Sequence, residues 1–130
     1  MQPDVVARFL ITAFCAVVFI QSAIDKLVDR DGNIGYFTSH FKSSPVPPAA
    51  VPLLFWMLTL IEGTAGVLCA LGLLLGDFLA TGMSVSACGV SMGGVALLCL
   101  LVGQRVAKDY AGAAVVAAYF AVVLIGLRFF

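Results

Sequence analysis

Eight polar or charged residues that could bind a ligand or move a proton are set into or beside long apolar stretches of the sequence. They are Gln21, Asp25, Lys26, Glu62, Gln104, Arg105, Lys108 and Asp109. Glu62 is the most informative, because a carboxylate inside an apolar segment must either find a partner or be protonated. Lys26, Arg105 and Lys108 are the candidate partners, and an arginine could hold the carboxylate through two hydrogen bonds. The residue types predict a polar cluster that is either a ligand pocket or an ion-pair network.

Two interpretations of Glu62 are open from the sequence. In the first, it forms a buried ion pair that fixes the order of neighbouring helices. In the second, it lines a ligand pocket or a proton route. No residue is assigned as catalytic, because His40 has no nearby Ser or Cys nucleophile in a polar context and is expected to be solvated.

Metal binding is not expected from the cysteines. Cys15, Cys69, Cys88 and Cys99 all fall inside apolar runs, and none forms a C-x-x-C pair. Zinc sites need paired Cys/His spacing, so these residues are predicted to be buried thiols.

The composition is that of an integral membrane protein. Of the 130 residues, 62% are hydrophobic and 11% are charged, with a mean hydropathy of +1.13. Soluble domains contain about a quarter charged residues. The net charge is zero, and without a basic stripe no nucleic-acid partner is expected.

Four segments are long enough to cross a bilayer, which needs about 20 mostly apolar residues each. They cover residues 5–27, 51–75, 78–102 and 111–130. The prediction is an all-α protein whose residues 1–130 form one transmembrane four-helix bundle, with the lipid bilayer as its first partner. Gly76 and Asp77, which end the stretch "LLLGD", are predicted to form a very short turn between the second and third spans.

In the longest connection, Ile34, Phe37 and Phe41 recur on one helical face, and Asp31 is placed to cap that helix. This pattern predicts a short amphipathic helix at the membrane surface.

The distribution of basic residues predicts an orientation. Five of the seven Lys and Arg residues belong to the side that carries the loops 28–50 and 103–110, and two belong to the side of the termini. The positive-inside rule then places both loops in the cytoplasm and both termini outside, in a multi-pass protein of the cell (inner) membrane. This topology brings Asp25, Lys26, Arg105, Lys108 and Asp109 to one face. Glu62 lies about 9 Å deeper than Trp56.

Three stretches of the sequence resemble the DoxX-like family of small membrane proteins. The first is "FIQSAIDKLVDRDG", with Ser22, Asp25 and Lys26, and the second is "LIEGTAGVLCALGLLLG", with Glu62, Gly63 and Gly66. The third is "GQRVAKDYAGAA", and together they extend the resemblance over nearly the whole chain. The resemblance implies a four-helix layout and an association with redox enzymes at the membrane.

Two functions are compatible with these observations. The favoured one is an accessory subunit of a membrane redox or quinone-linked system, with a polar pocket around Glu62. It would bind a quinone or a lipid without a covalent cofactor, and would receive electrons from a membrane or cytoplasmic redox partner protein. The chain is not expected to be an enzyme on its own. The alternative is a non-enzymatic scaffold or assembly factor in which the charged cluster is structural.

Overall fold

The computed structural model describes residues 2–130, and within them every regular element is helical. The five α-helices are α1 (Pro3–Val28), α2 (Arg30–His40), α3 (Val51–Leu75), α4 (Val85–Val106) and α5 (Tyr110–Leu127), and 3-10 turns cover Pro48–Ala50 and Asp77–Leu79. In this described part, four helices (α1, α3, α4 and α5) are long and apolar enough to cross a membrane. The predicted all-α architecture with four spanning helices is confirmed.

The predicted start of the third span is too early. The apolar run begins near residue 78, but α4 begins at Val85, and the connection from α3 is longer than Gly76 and Asp77. The reason is local capping, which hydropathy does not reveal. The Asp77 carboxylate accepts hydrogen bonds from the Val85 N–H at 2.6 Å and from the Ser86 hydroxyl. The Ser84 hydroxyl accepts from the Ala87 N–H at 3.1 Å, so the helix starts there.

The short helix between the first two spans is present as α2. Its N-cap is Asp29 rather than Asp31, because the Asp29 carboxylate accepts a hydrogen bond from the Gly32 N–H at 3.3 Å. No residue of α2 is fully buried. The helix is held against α3 by an edge-on aromatic contact between Phe37 and Phe55, whose ring centroids are 5.8 Å apart.

The core lies between α1, α3 and α4 and depends on close helix contacts. Phe19 of α1 packs on Gly93 of α4, and Ile20 packs on Gly66 of α3. In lipid, small residues let helix backbones approach closely and gain van der Waals contact. Large apolar side chains such as Val17 and Leu60 point outward and form the surface that would face the bilayer.

The Gly66 contact can be tested by one added carbon. A Cβ at Gly66 would lie 2.6 Å from Ile20 Cγ1 and 2.8 Å from the Ile20 backbone nitrogen. We expect Gly66→Ala to lower the free energy of unfolding by about 1–3 kcal/mol, as measured by denaturant titration in mixed micelles. Gly63→Ala is the matched control, since its Cβ would meet only Ala23 at 3.8 Å. Equal stability of the two variants would contradict this packing.

The end of the bundle that carries the chain termini is held by Arg8, which is 4% exposed. Its Nε donates to the Phe78 carbonyl at 2.6 Å, Nη1 to the Phe129 carbonyl at 2.9 Å and Nη2 to the Leu79 carbonyl at 3.3 Å. One guanidinium thus joins the start of α1, the α3–α4 connection and the residues after α5. The planar fork of arginine suits this task because its donors point in several fixed directions.

Arg8→Met should therefore lower the free energy of unfolding by about 3 kcal/mol, because it leaves several carbonyls without their charged donor. Arg128→Met is the control: it removes the same charge at the same end of the bundle from an exposed side chain. Thermal unfolding in detergent, followed by circular dichroism, distinguishes the two. If the Arg128 variant were as unstable as the Arg8 variant, the loss of stability would come from the removed charge and not from the three hydrogen bonds.

Candidate functional site

A buried polar cluster joins α1 to α3. Lys26 Nζ lies 2.9 Å from Glu62 Oε2, and the side chains are 11% and 1% exposed. The Ser22 hydroxyl donates to the same carboxylate oxygen at 2.9 Å, and Lys26 Nζ donates to Ser22 Oγ at 2.8 Å. Ser22 and Lys26 are one turn apart on α1 and so share a face. We call these three residues the buried triad.

The other two expected partners of Glu62 lie elsewhere. The guanidinium of Arg105 lies over the ring of Tyr110, 4.9 Å from its centroid, in a cation–π contact. Lys108 is exposed in the α4–α5 turn, where its φ of 61° is unusual for a residue other than glycine. Its ammonium is therefore placed at the turn and not at the carboxylate.

Gln21 and Asp25 are also separate from Glu62. Both are exposed and line an open groove along the outer side of α1. The structure thus divides the eight residues singled out in the sequence among several places and joins only Lys26 to Glu62. A functional role for any of the eight remains a prediction.

A second polar group lies between α2 and the end of α4. His40 Nε2 is 3.0 Å from Gln104 Oε1 and 3.8 Å from Asp109 Oδ2. Asp109 also caps α5 by accepting from the Gly112 N–H at 3.0 Å. The Tyr36 ring stacks on the imidazole at a centroid distance of 5.4 Å. This contact between the two connections shows that they lie at the same end of the bundle.

The expectation that His40 is solvated is wrong. Its side chain is only 16% exposed, because Gln104 and Tyr36 cover it. The available sequence signal was its position one turn after Tyr36 and Phe37, on a helix rich in aromatic residues. The partner on α4 is 64 positions away, so periodicity alone could not identify it.

An apolar cavity of about 120 Å³ lies directly beside His40 and Gln104. Aromatic side chains from α2 and its C-cap form one wall, and aliphatic residues from α3 and α4 form the others. The residues that define its shape are Tyr36, Phe37, Phe41, Leu54, Leu58 and Gly103. Glu62 is not among the lining residues, so this cavity is distinct from the pocket predicted around that carboxylate.

The cysteines divide into two pairs by burial. Cys15 and Cys69 are fully buried in the core, whereas Cys88 and Cys99 are exposed on the surface of α4, so the prediction of buried thiols is correct for the first pair only. In residues 2–130, no group of three His, Cys, Asp or Glu side chains is placed to hold a metal ion.

One family comparison identifies the chain. The family model described as methylamine utilisation protein MauE matches residues 4–93, which is more than half of the sequence. The chain belongs to the MauE family. No curated protein and no solved structure shows a significant match to it.

The family match overturns the resemblance to the DoxX-like family. Three of the residues that carried this resemblance, Ser22, Lys26 and Glu62, form an ion pair with a bridging hydroxyl. Such a pair is a general way to satisfy charge between membrane helices. Short motifs built on it therefore do not distinguish one family of small helical membrane proteins from another.

The buried triad makes a specific prediction about stability. Glu62→Gln should lower the free energy of unfolding by about 3 kcal/mol, because it leaves the ammonium of Lys26 buried without a counter-charge. Lys26→Met should have a similar effect through the unpaired carboxylate. The double variant should be more stable than the sum of the two losses predicts, because it leaves neither charge alone. Denaturant titration in mixed micelles measures all four proteins, and strictly additive losses would contradict the pairing.

Proposed function

We propose that this MauE-family chain is an accessory subunit of a membrane redox system and that it does not carry out the redox reaction by itself. The observation that carries the proposal is the family match over residues 4–93, to a family described by methylamine utilisation. Methylamine has no carbon–carbon bond, so a cell gains energy from it only by oxidation. A small membrane protein dedicated to that use fits best beside an oxidoreductase.

The polar side chains support an accessory role. The carboxylate of Glu62 is already occupied by Lys26 and Ser22 and is 1% exposed. A charged group that is fully satisfied within the bundle is suited to fixing helix positions. In this proposal the buried triad holds α1 and α3 in register, and ligands and partners bind elsewhere.

The outer side of α1 is the proposed surface for the partner. Gln21 and Asp25 are exposed there, next to the apolar side chains of Val17 and Ile24. Polar side chains in spanning helices almost always face protein or water, and amides hydrogen-bond across helices. We propose that a transmembrane segment of the redox partner packs on this face. We also propose that the loops 28–50 and 103–110 are cytoplasmic, because they contain four basic residues and Lys26 lies at the same end of the bundle.

A scaffold or assembly factor is the second candidate, and the buried triad is the observation that favours it. Within residues 2–130, the deeply buried charges of Arg8, Lys26 and Glu62 all serve the packing of the bundle, and such a bundle could act simply by holding a partner in place. The two candidates differ in one measurable quantity. Loss of an assembly factor lowers the amount of the partner enzyme, whereas loss of an accessory subunit lowers the turnover of a partner present in normal amount.

Deletion of this chain from its host tests the proposed function. We expect methylamine-dependent oxygen consumption by membranes to fall severalfold, while oxygen consumption with NADH is unchanged. Re-expression of the wild-type chain should restore it, and the double variant Gln21→Leu/Asp25→Leu should not, although its amount in the membrane is normal. The matched control is Val115→Leu, an exposed position on α5. Unchanged methylamine-dependent respiration in the deletion strain would overturn the proposal.

A further inference from the structure

We infer that the cavity between α2, α3 and α4 is a binding site for the ring of a lipid-soluble quinone, whose hydrocarbon tail extends into the bilayer. The inference deepens the proposed function, since it names the molecule that would link the redox partner to the membrane. The ligand site is built by His40 and Gln104 and not by Glu62.

The size of the cavity is comparable with that of a single ring. Its volume is about 120 Å³, and a cavity of about 150 Å³ in another protein accommodates one benzene molecule. Drug-sized ligands need pockets of about 300 Å³ or more. The cavity is open on one side, so a six-membered ring can enter with one carbonyl edge first while the substituents of its opposite edge remain in the mouth.

The lining is suited to a flat conjugated ring. Tyr36, Phe37 and Phe41 present aromatic surface from the α2 side, and aromatic rings favour stacked or edge-on contacts with one another. Leu54 and Leu58 are on α3, one of the spanning helices, so the lipid side of the site is apolar. A long hydrocarbon tail leaving on that side would remain in the hydrocarbon region.

The polar group beside the cavity can recognise a ring oxygen. His40 Nε2 and Gln104 Oε1 are 3.0 Å apart. When the imidazole donates to this oxygen, both N–H donors of the Gln104 side-chain amide remain available. A quinone carbonyl oxygen can only accept hydrogen bonds, so it can pair with one of these donors. A quinone carbonyl at this edge of the cavity is therefore matched by a donor, whereas the acyl chain of a lipid has no acceptor to offer.

Another cavity in the bundle lacks this combination. The space between α1 and α3 is about 470 Å³ and is lined mainly by aliphatic residues such as Leu60, Val67 and Leu68, with Trp56 as its one aromatic side chain and the hydroxyls of Thr59 and Thr64. Both hydroxyls are already used, since they donate to the carbonyls of Phe55 and Leu60 at 2.7 and 2.8 Å. That space suits a lipid chain, and the His40–Gln104 cavity suits a ring with an oxygen.

The only tryptophan of the chain provides the signal for a binding test. Trp56 is on α3 and lines the neighbouring cavity between α1 and α3. Its ring is 5.2 Å from that of Phe55, which in turn is 5.8 Å from the ring of the lining residue Phe37, so a quinone in either cavity is close to it. Quinones quench tryptophan fluorescence, so decylubiquinone is titrated into the full chain in phospholipid nanodiscs. We expect quenching of Trp56 that saturates. Quenching that rises linearly with the quinone content of the lipid would overturn the site. Saturating quenching that Gly103→Leu leaves unchanged would place the quinone between α1 and α3 and overturn the site.

Two variants and a control make the test specific. Gly103→Leu should abolish the saturating component, because a Cβ at Gly103 already lies 3.4 Å from Phe41 Cζ and the longer side chain fills the cavity. Gln104→Leu keeps the cavity and should weaken binding about tenfold through the lost hydrogen bond. Val102→Leu, exposed on the same helix, should bind like the wild type. Equal binding by all four proteins would contradict the assignment.

Competition tests the role of the oxygen. Decylbenzene has the same chain and ring size but no acceptor, and it should displace decylubiquinone only at much higher concentration. Equal displacement would show that the cavity recognises only shape, which overturns the quinone assignment. If no quinone binds while the deletion strain still loses methylamine-dependent respiration, the quinone site is wrong and the accessory function stands.

Discussion

The arrangement of the bundle depends on the ion pair between Lys26 and Glu62. A charge in the hydrocarbon region costs several kcal/mol unless it is paired, so α1 and α3 must present these two side chains to each other. Ser22, one turn from Lys26, completes the arrangement by donating to the same carboxylate oxygen. This contact sets the rotation of α1 about its own axis.

The rotation of α1 has consequences along the rest of the helix. Successive residues of an α-helix are about 100° apart, so Gln21 and Asp25, which precede Ser22 and Lys26, are turned out of the interface and exposed. Ile20 is brought onto Gly66 of α3. The same ion pair therefore accounts for the tight packing inside and for the polar surface outside, where we place the partner.

The two ends of the bundle use polar groups differently. At the end that carries the termini, the guanidinium of Arg8 donates to three backbone carbonyls and so joins α1, the α3–α4 connection and the residues after α5. At the opposite end, α2 covers the bundle through aromatic side chains and leaves a cavity beside His40 and Gln104. A mostly apolar lining with a few polar groups at one edge is typical of ligand sites.

The sequence predicted the spanning helices well, because lipid leaves a hydrogen-bonded helix as almost the only option for an apolar segment of about 20 residues. It failed where short-range polar contacts override hydropathy, as at Asp77, whose carboxylate delays the start of α4 to Val85.

For the candidate site, the sequence identified Glu62 and Lys26. It could not decide whether Lys26 or Arg105 is the partner of Glu62, because that depends on the rotation of the helices. His40 was missed because its partner lies on a distant helix, and the short motifs led to the wrong family.

The central claim is that the ligand binds beside His40 while the ion pair at Glu62 only supports the fold. The chain has one histidine and one glutamate, so selective labelling of the His40 nitrogens and the Glu62 carboxyl carbon gives an NMR spectrum with unambiguous signals from both places. On addition of decylubiquinone, the resonance of His40 Nε2 should shift and that of the Glu62 carboxyl should remain where it is. A shift at Glu62 with an unchanged His40 would contradict the account.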